Sequence, residues 1–139
     1  MVAADWAGEE LRENILMRSG GVCECCGLQR YESLHHRTPR GMGGSIDPAL
    51  NSPANITGVC GHGTAKCHGR IEVSRIIATN YGWLVPRGQD SAETPILYRG
   101  TWALITEVGV EYLPSMECWK LPDPRSWMSV VQVRQPRSR

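Results

Sequence analysis

The residues most able to do chemistry in this chain are six cysteines and four histidines, and most of them fall between positions 23 and 72. Cys23-x-x-Cys26 forms one short pair, and Cys60 with Cys67 forms a second pair far from it in sequence. Four-coordinate structural zinc favours this arrangement, because each pair chelates and the two pairs clamp separate segments. The Gly-His-Gly-Thr-Ala-Lys stretch between Cys60 and Cys67 is longer than the usual spacer, but its two glycines ease closure of a wide loop. Between the pairs stand His35 and His36, and His68 follows Cys67 directly. A neutral imidazole can ligate a divalent cation or take a proton near neutral pH, but one ring lone pair cannot do both. Successive residues of a strand face opposite ways, so an adjacent pair suits one ligand and one base. The residue types therefore allow two ions, one structural and one placed for hydrolysis.

These side chains need elements to carry them. Ala7, Leu11 and Ile15 recur every four residues and predict a first helix, capped by Asp5 and stopped at Gly20-Gly21. Residues 23–27 read as a tight zinc knuckle, and residues 31–37 as a short strand bearing the histidine pair. Pro39, Gly41, Gly43, Gly44, Asp47, Pro48 and Pro53 make residues 38–54 a long irregular loop. Residues 55–59 resume an extended path, and Cys67 opens a second helix running to about Tyr81, stopped by Gly82. On that helix His68 and Glu72 are four residues apart and share a face, with Arg75 as the next neighbour. Past Pro86, residues 96–98, 102–106 and 110–113, separated by Arg99-Gly100 and Glu107-Val-Gly109, predict a small antiparallel meander. Neither an internal repeat nor a low-complexity run is present.

A chain of 139 residues has room for one compact domain with modest decoration. Phenylalanine is absent, and 15 glycines with 9 prolines dilute the apolar content, so a metal or disulfide cross-link would help a small core. Residues 1–21 carry six charged side chains and no apolar run of signal-peptide length, so the cysteines read as cytosolic zinc thiolates rather than a secreted disulfide framework. Cys25 and Cys118 have no evident partner and read as free thiols. No stretch approaches membrane-spanning length, and the expected location is cytoplasmic. The net charge of +1 hides a segregation: six basic residues against three acidic ones over positions 30–75, six acids against two bases over 88–124, and four arginines with no acid in the last 15 residues. Such a distribution is compatible with a local phosphate-facing surface.

Taken together, Cys23-x-x-Cys26-Gly27, His35-His36-Arg-x-Pro-Arg40, Gly43-Gly44, Asn55 with Cys60 five residues on, and Cys67-His68 resemble the HNH endonucleases. These form the ββα-metal family that includes colicin nucleases, many restriction and homing nucleases and small phage enzymes. The resemblance covers residues 23–72 and implies an α+β fold: a ββα-metal (HNH) core with a four-cysteine zinc knuckle, an N-terminal helix and a C-terminal small antiparallel meander. Residues 1–84 would form the helix and zinc-stabilised nuclease core, and residues 85–139 a β extension with an arginine-containing tail.

The same resemblance implies that His35 and His68 hold a catalytic divalent ion (Mg²⁺, Mn²⁺, Ni²⁺ or Zn²⁺), while Cys23, Cys26, Cys60 and Cys67 hold a structural Zn²⁺. His36 would be the general base. Asn55 would pin the long loop against the strand and hold His36 in orientation. Glu72 sits where some members place a further histidine ligand; it can coordinate, contact a metal-bound water or face solvent. Arg40, and after it Arg37, could contact the scissile or a neighbouring phosphate. The implied activity is hydrolysis of double-stranded DNA to 5′-phosphate and 3′-hydroxyl ends. Gly41-Met-Gly-Gly44 lacks the Gly-Lys-Ser/Thr ending of a nucleotide-binding loop and is no ATP site.

Residues 82–88 and the meander are similar to the C-terminal parts of small tailed-phage HNH proteins. That second resemblance implies a role in DNA packaging, a phage terminase large subunit as partner and the host cytoplasm as location. Two competing expectations come from other classes: a non-catalytic zinc-ribbon DNA-binding module, and a terminase partner in which cleavage is secondary.

Overall fold

The computed structural model describes residues 7–39 and 48–127. Asp5, Arg40, residues 41–44 of the glycine-rich loop and the arginines beyond Arg125 lie outside them. The fold is mixed α+β, with two small antiparallel sheets and a buried cluster of four cysteines.

The first helix, α1, spans Gly8–Ser19. Its four-residue apolar repeat buries Leu11 and Ile15 together with Ala7 against Ile56, and Gly20 in the left-handed conformation returns its N–H to the Leu16 carbonyl. Beyond the cysteine knuckle, β1 (Ser33–His36) pairs antiparallel with β2 (Ile56–Val59), placing His35 opposite Thr57 and His36 opposite Ile56. After β2 comes α2 (Lys66–Val73). The single helix expected as far as Tyr81 is broken at Ser74, which is non-helical with φ of −112° and ψ of 55°, and α3 (Arg75–Asn80) follows. Gly82 ends α3 with φ of +79°, at a place where a Cβ would overlap the Pro95 carbonyl, so glycine alone fits this crossing. The meander forms as expected, with β3 (Ile96–Tyr98), β4 (Thr101–Thr106) and β5 (Gly109–Tyr112) in sequential order.

One apolar cluster joins these parts. The four cysteines, Ile71 of α2 and Trp83 pack with Ile96, Leu97, Trp102 and Ile105 of the meander and with Trp127. Tyr81 lies between Trp102 and Trp127, at ring-centroid distances of 5.9 and 5.4 Å. Tryptophan and tyrosine rings thus supply the burial that phenylalanine would otherwise give.

A buried ion pair locks α1 to both sheets. Glu24 is fully buried, and its carboxylate accepts from Arg18 Nε and Nη2 at 2.8 and 2.7 Å, from the Gly58 N–H at 2.9 Å and from the Tyr98 hydroxyl at 2.7 Å. Such a charge is tolerated in an interior only when its partners are this complete. No helix among the described residues is long and apolar enough to cross a membrane.

Candidate metal centres and the histidine pair

Cys23, Cys26, Cys60 and Cys67 are all buried, with their Sγ atoms within 4.8 Å of one another. A tetrahedral thiolate site with Zn–S near ~2.3 Å has sulfur–sulfur edges of about 3.8 Å. The Cys26 and Cys60 sulfurs are 3.9 Å apart. Backbone N–H groups of Cys26 and Cys60 point at Cys23 Sγ (3.5 and 3.3 Å), and that of Leu28 points at Cys26 Sγ (3.4 Å). Donors aimed at sulfur favour thiolate over thiol. Hydrogen bonds from Cys23, Cys60 and Cys67 hold the Cys26 thiol far below the usual range, while contacts led by Cys23 push Cys60 and Cys67 up. Four buried cysteine sulfurs this close together could hold a structural metal, and the donor set fits zinc.

The long Cys60–Cys67 spacer closes for a visible reason. Gly61 adopts φ of +86°, where a Cβ would overlap the Ala65 carbonyl, and the His68 N–H donates to Cys60 O at 3.0 Å. Glu32 holds the outside of this loop by accepting from the Gly61 N–H at 3.0 Å and from Lys66 Nζ at 2.9 Å. Cys25, also buried, packs against the cluster beside Cys67, and Cys118 is half-buried; neither is in a disulfide.

Next to the thiolates lies the second group. Ligand atoms of His35, His68 and Glu72 all fall within 4.8 Å of one another. The His35 and His68 rings meet edge to face, with centroids 5.9 Å apart and planes at 89°. His35 Nε2 is 2.8 Å from the Trp83 carbonyl, and His68 Nδ1 is 2.8 Å from the Gly63 carbonyl. A carbonyl only accepts, so both of these nitrogens carry protons, and the lone pairs reside on His35 Nδ1 and His68 Nε2. Holding one ring nitrogen on a backbone carbonyl while the other faces a shared point is how proteins orient imidazole ligands. Burial pulls the His35 pKa down to about 3, with His68, His36 and Arg37 adding to the effect, so this ring is neutral at physiological pH. Neutral imidazole is the ligating form, and the three residues fit a divalent cation that keeps open positions.

Glu72 has a second attachment. It accepts from Arg75 Nη1 at 3.1 Å in a pair that is half exposed.

His36 is half-buried and points away from His35 along the strand, as alternation requires. Its Nε2 lies 3.0 Å from Asn51 Oδ1. Asn55 does pin the loop: its Oδ1 accepts from the Thr38 N–H at 2.9 Å and the Ser91 hydroxyl at 2.6 Å, and its Nδ2 donates to Leu50 O at 2.9 Å. A side chain that reaches the His36 ring is Asn51, four residues before Asn55. Sequence reasoning missed it, because an asparagine beside Ser-Pro in an irregular stretch looks like any turn residue.

Arg37 needs a correction. It is fully buried and donates to four carbonyls: Gly82 O at 2.9 Å, Ala54 O at 3.1 Å, Ser91 O at 2.9 Å and Thr94 O at 2.9 Å. Desolvation lowers its pKa to about 9, which leaves it charged at neutral pH. A guanidinium with its donors committed inside the protein is not available to a phosphate. Arg70 is buried as well. Arg40 lies outside the described residues.

Compared with known proteins, the chain matches no family model, no curated protein and no solved structure.

Proposed function

We propose that this chain is a metal-dependent DNA endonuclease of the HNH, or ββα-metal, class, with a structural zinc in the four-cysteine cluster. The observation that carries the reading is the His35–His68–Glu72 group: its ligand atoms lie within 4.8 Å of one another, and each ring is held by a backbone carbonyl. Strands β1 and β2 followed by α2 supply these residues in the order the class requires.

His35 and His68, with Glu72 as third ligand, would hold the divalent ion. When bound there, the ion supplies Lewis-acid stabilisation of the negative charge that grows on the departing oxygen. His36 takes the proton of the attacking water. Asn51 Oδ1, 3.0 Å from Nε2, orients the ring for this step. Water oxygen then bonds to phosphorus as the bond from phosphorus to the 3′ oxygen breaks, and that oxygen leaves as a hydroxyl after taking a proton from solvent. The products are a 5′-phosphate and a 3′-hydroxyl. Asn55 keeps the loop after β1 closed on Thr38 and Leu50, so the backbone under His36 is fixed before substrate arrives.

Incubation of supercoiled plasmid with Mg²⁺, Mn²⁺ or Ni²⁺ tests this reading. Nicked or linear product bearing 5′-phosphate ends, lost in His36→Ala, is the expected result. Retarded but intact plasmid, identical for both proteins, would mean that the chain only binds.

A further inference from the structure

Beside the histidine and glutamate group runs a groove of about 400 Å³ lined by Pro39, Ile76, Leu84 and Pro86 together with Arg75 and Arg87. We propose that this groove binds the sugar–phosphate backbone of DNA next to the scissile bond, with Arg75 and Arg87 each contacting one phosphate. The inference deepens the nuclease reading by assigning its substrate surface, and it rests on that reading for the location of the scissile bond.

Position supports it at both ends. Arg75 Nη1 is hydrogen-bonded to Glu72, whose carboxylate lies within 4.8 Å of the His35 and His68 ligand atoms, so this arginine stands one side chain from the proposed ion. Arg87 donates to the carbonyl of Pro39, three residues past His36 where the chain leaves β1. The two cations therefore share one groove, one joined to the metal group through Glu72 and the other to the chain leaving β1.

Charge supports it as well. Among the described residues, no aspartate or glutamate lines the groove. The carboxylate that meets Arg75 belongs to the metal group, where a bound dication would offset it. Both guanidinium groups are solvent-accessible, in contrast to Arg37 and Arg70, which the fold has buried. Lys66, a half-buried cation at the start of α2, is paired with Glu32 outside the groove. Ile76, with 83% of its surface exposed, offers an apolar contact for a deoxyribose face between the two phosphates. A polyanion with an apolar spacer between charges fits such a surface.

The test uses the full chain with zinc bound, in a His36→Ala background so that DNA stays intact, with Mg²⁺ present. Fluorescence anisotropy of a short labelled duplex gives Kd over salt concentrations from about 50 to 200 mM. Each phosphate contact adds roughly 0.9 to the slope of log K against log salt, so Arg75→Gln and Arg87→Gln should each lower it by about 0.9, and the double variant by roughly 1.8. The loss should be equal for two unrelated duplex sequences. Arg125→Gln, an exposed arginine paired with Asp123 outside the groove, should leave the slope unchanged. An exposed ion pair adds little to folding, so the variants are expected to fold, and circular dichroism checks this.

No measurable DNA binding, or a slope untouched in the double variant, overturns the proposal. So does a double variant that keeps the DNA slope but loses affinity for a poly-glutamate probe, which would make the groove a dock for acidic protein. Plasmid nicking by the native chain is scored separately. Nicking with an unchanged slope removes the groove and leaves the nuclease reading, whereas a lowered slope without nicking removes the nuclease reading and leaves the groove.

Discussion

His35 and His68 meet edge to face across the gap between β1 and α2, and each is tied by its outer nitrogen to a backbone carbonyl, of Trp83 and of Gly63. Those two carbonyls are held by different parts of the fold. Gly63 lies in the loop that the Cys60–Cys67 clamp closes, and Trp83 lies in the turn that Gly82 permits after α3. The orientation of the histidines therefore depends on the thiolate cluster and on the packing of the main core together.

Loss of the thiolate clamp should propagate through that connection. Cys26→Ser is expected to abolish stoichiometric zinc and to unfold the domain, since binding of structural zinc contributes on the order of 10 kcal/mol to folding in small domains. Cys118→Ser, whose half-buried thiol stands outside the cluster, should change neither zinc content nor melting temperature. Elemental analysis and thermal denaturation check both. A folded Cys26→Ser protein without zinc would show that the core does not need the metal.

Arg37 should behave as a structural cation. Arg37→Met leaves the carbonyls of Ala54, Gly82, Ser91 and Thr94 without this donor, at a cost of about 1 kcal/mol or more each. A fall of roughly 3 kcal/mol or more in unfolding free energy is the expected result of a urea titration. Unchanged stability with a reduced salt dependence of DNA binding would instead make it a phosphate ligand.

Asn51 should act on the turnover step. Its Oδ1 fixes the His36 ring, so Asn51→Ala is expected to lower kcat roughly ten- to hundredfold through misplacement of the base, with KM nearly unchanged. Asn51→Asp keeps an oxygen acceptor at that point and should recover much of the rate. Equal defects in both variants, or a rise in KM alone, would remove Asn51 from the orientation of His36.

What the sequence revealed and what it hid follows from the range of each interaction. The cysteine pairs, the His35-His36 dipeptide and the His68-to-Glu72 spacing are local patterns, and local patterns survive in one dimension. The meander was legible too, because Arg99-Gly100 and Glu107-Val-Gly109 punctuate alternating apolar runs. The break at Ser74 was not, since nothing in Val73-Ser-Arg75 forbids a continuous helix, yet Ser74 leaves the helical region with φ of −112° and ψ of 55°. Arg37 misled for the same reason. Its four carbonyl partners come from positions 17 to 57 residues away, and no reading of its neighbours could supply them. The Arg18–Glu24 pair is close in sequence, but its burial depends on Tyr98, a residue of the meander.

His35 and His68 are expected to hold a second ion in addition to zinc in the cysteine cluster, and bound-metal stoichiometry reads this out. Equilibrium dialysis of the zinc-loaded protein against Mn²⁺ or Ni²⁺, followed by elemental analysis, should find one additional ion per chain in the native protein and in His36→Ala. His68→Ala should retain zinc and bind no additional ion. A native chain that takes up zinc alone, or a His68→Ala variant that still binds the second ion, would mean that His35 and His68 do not form a metal site.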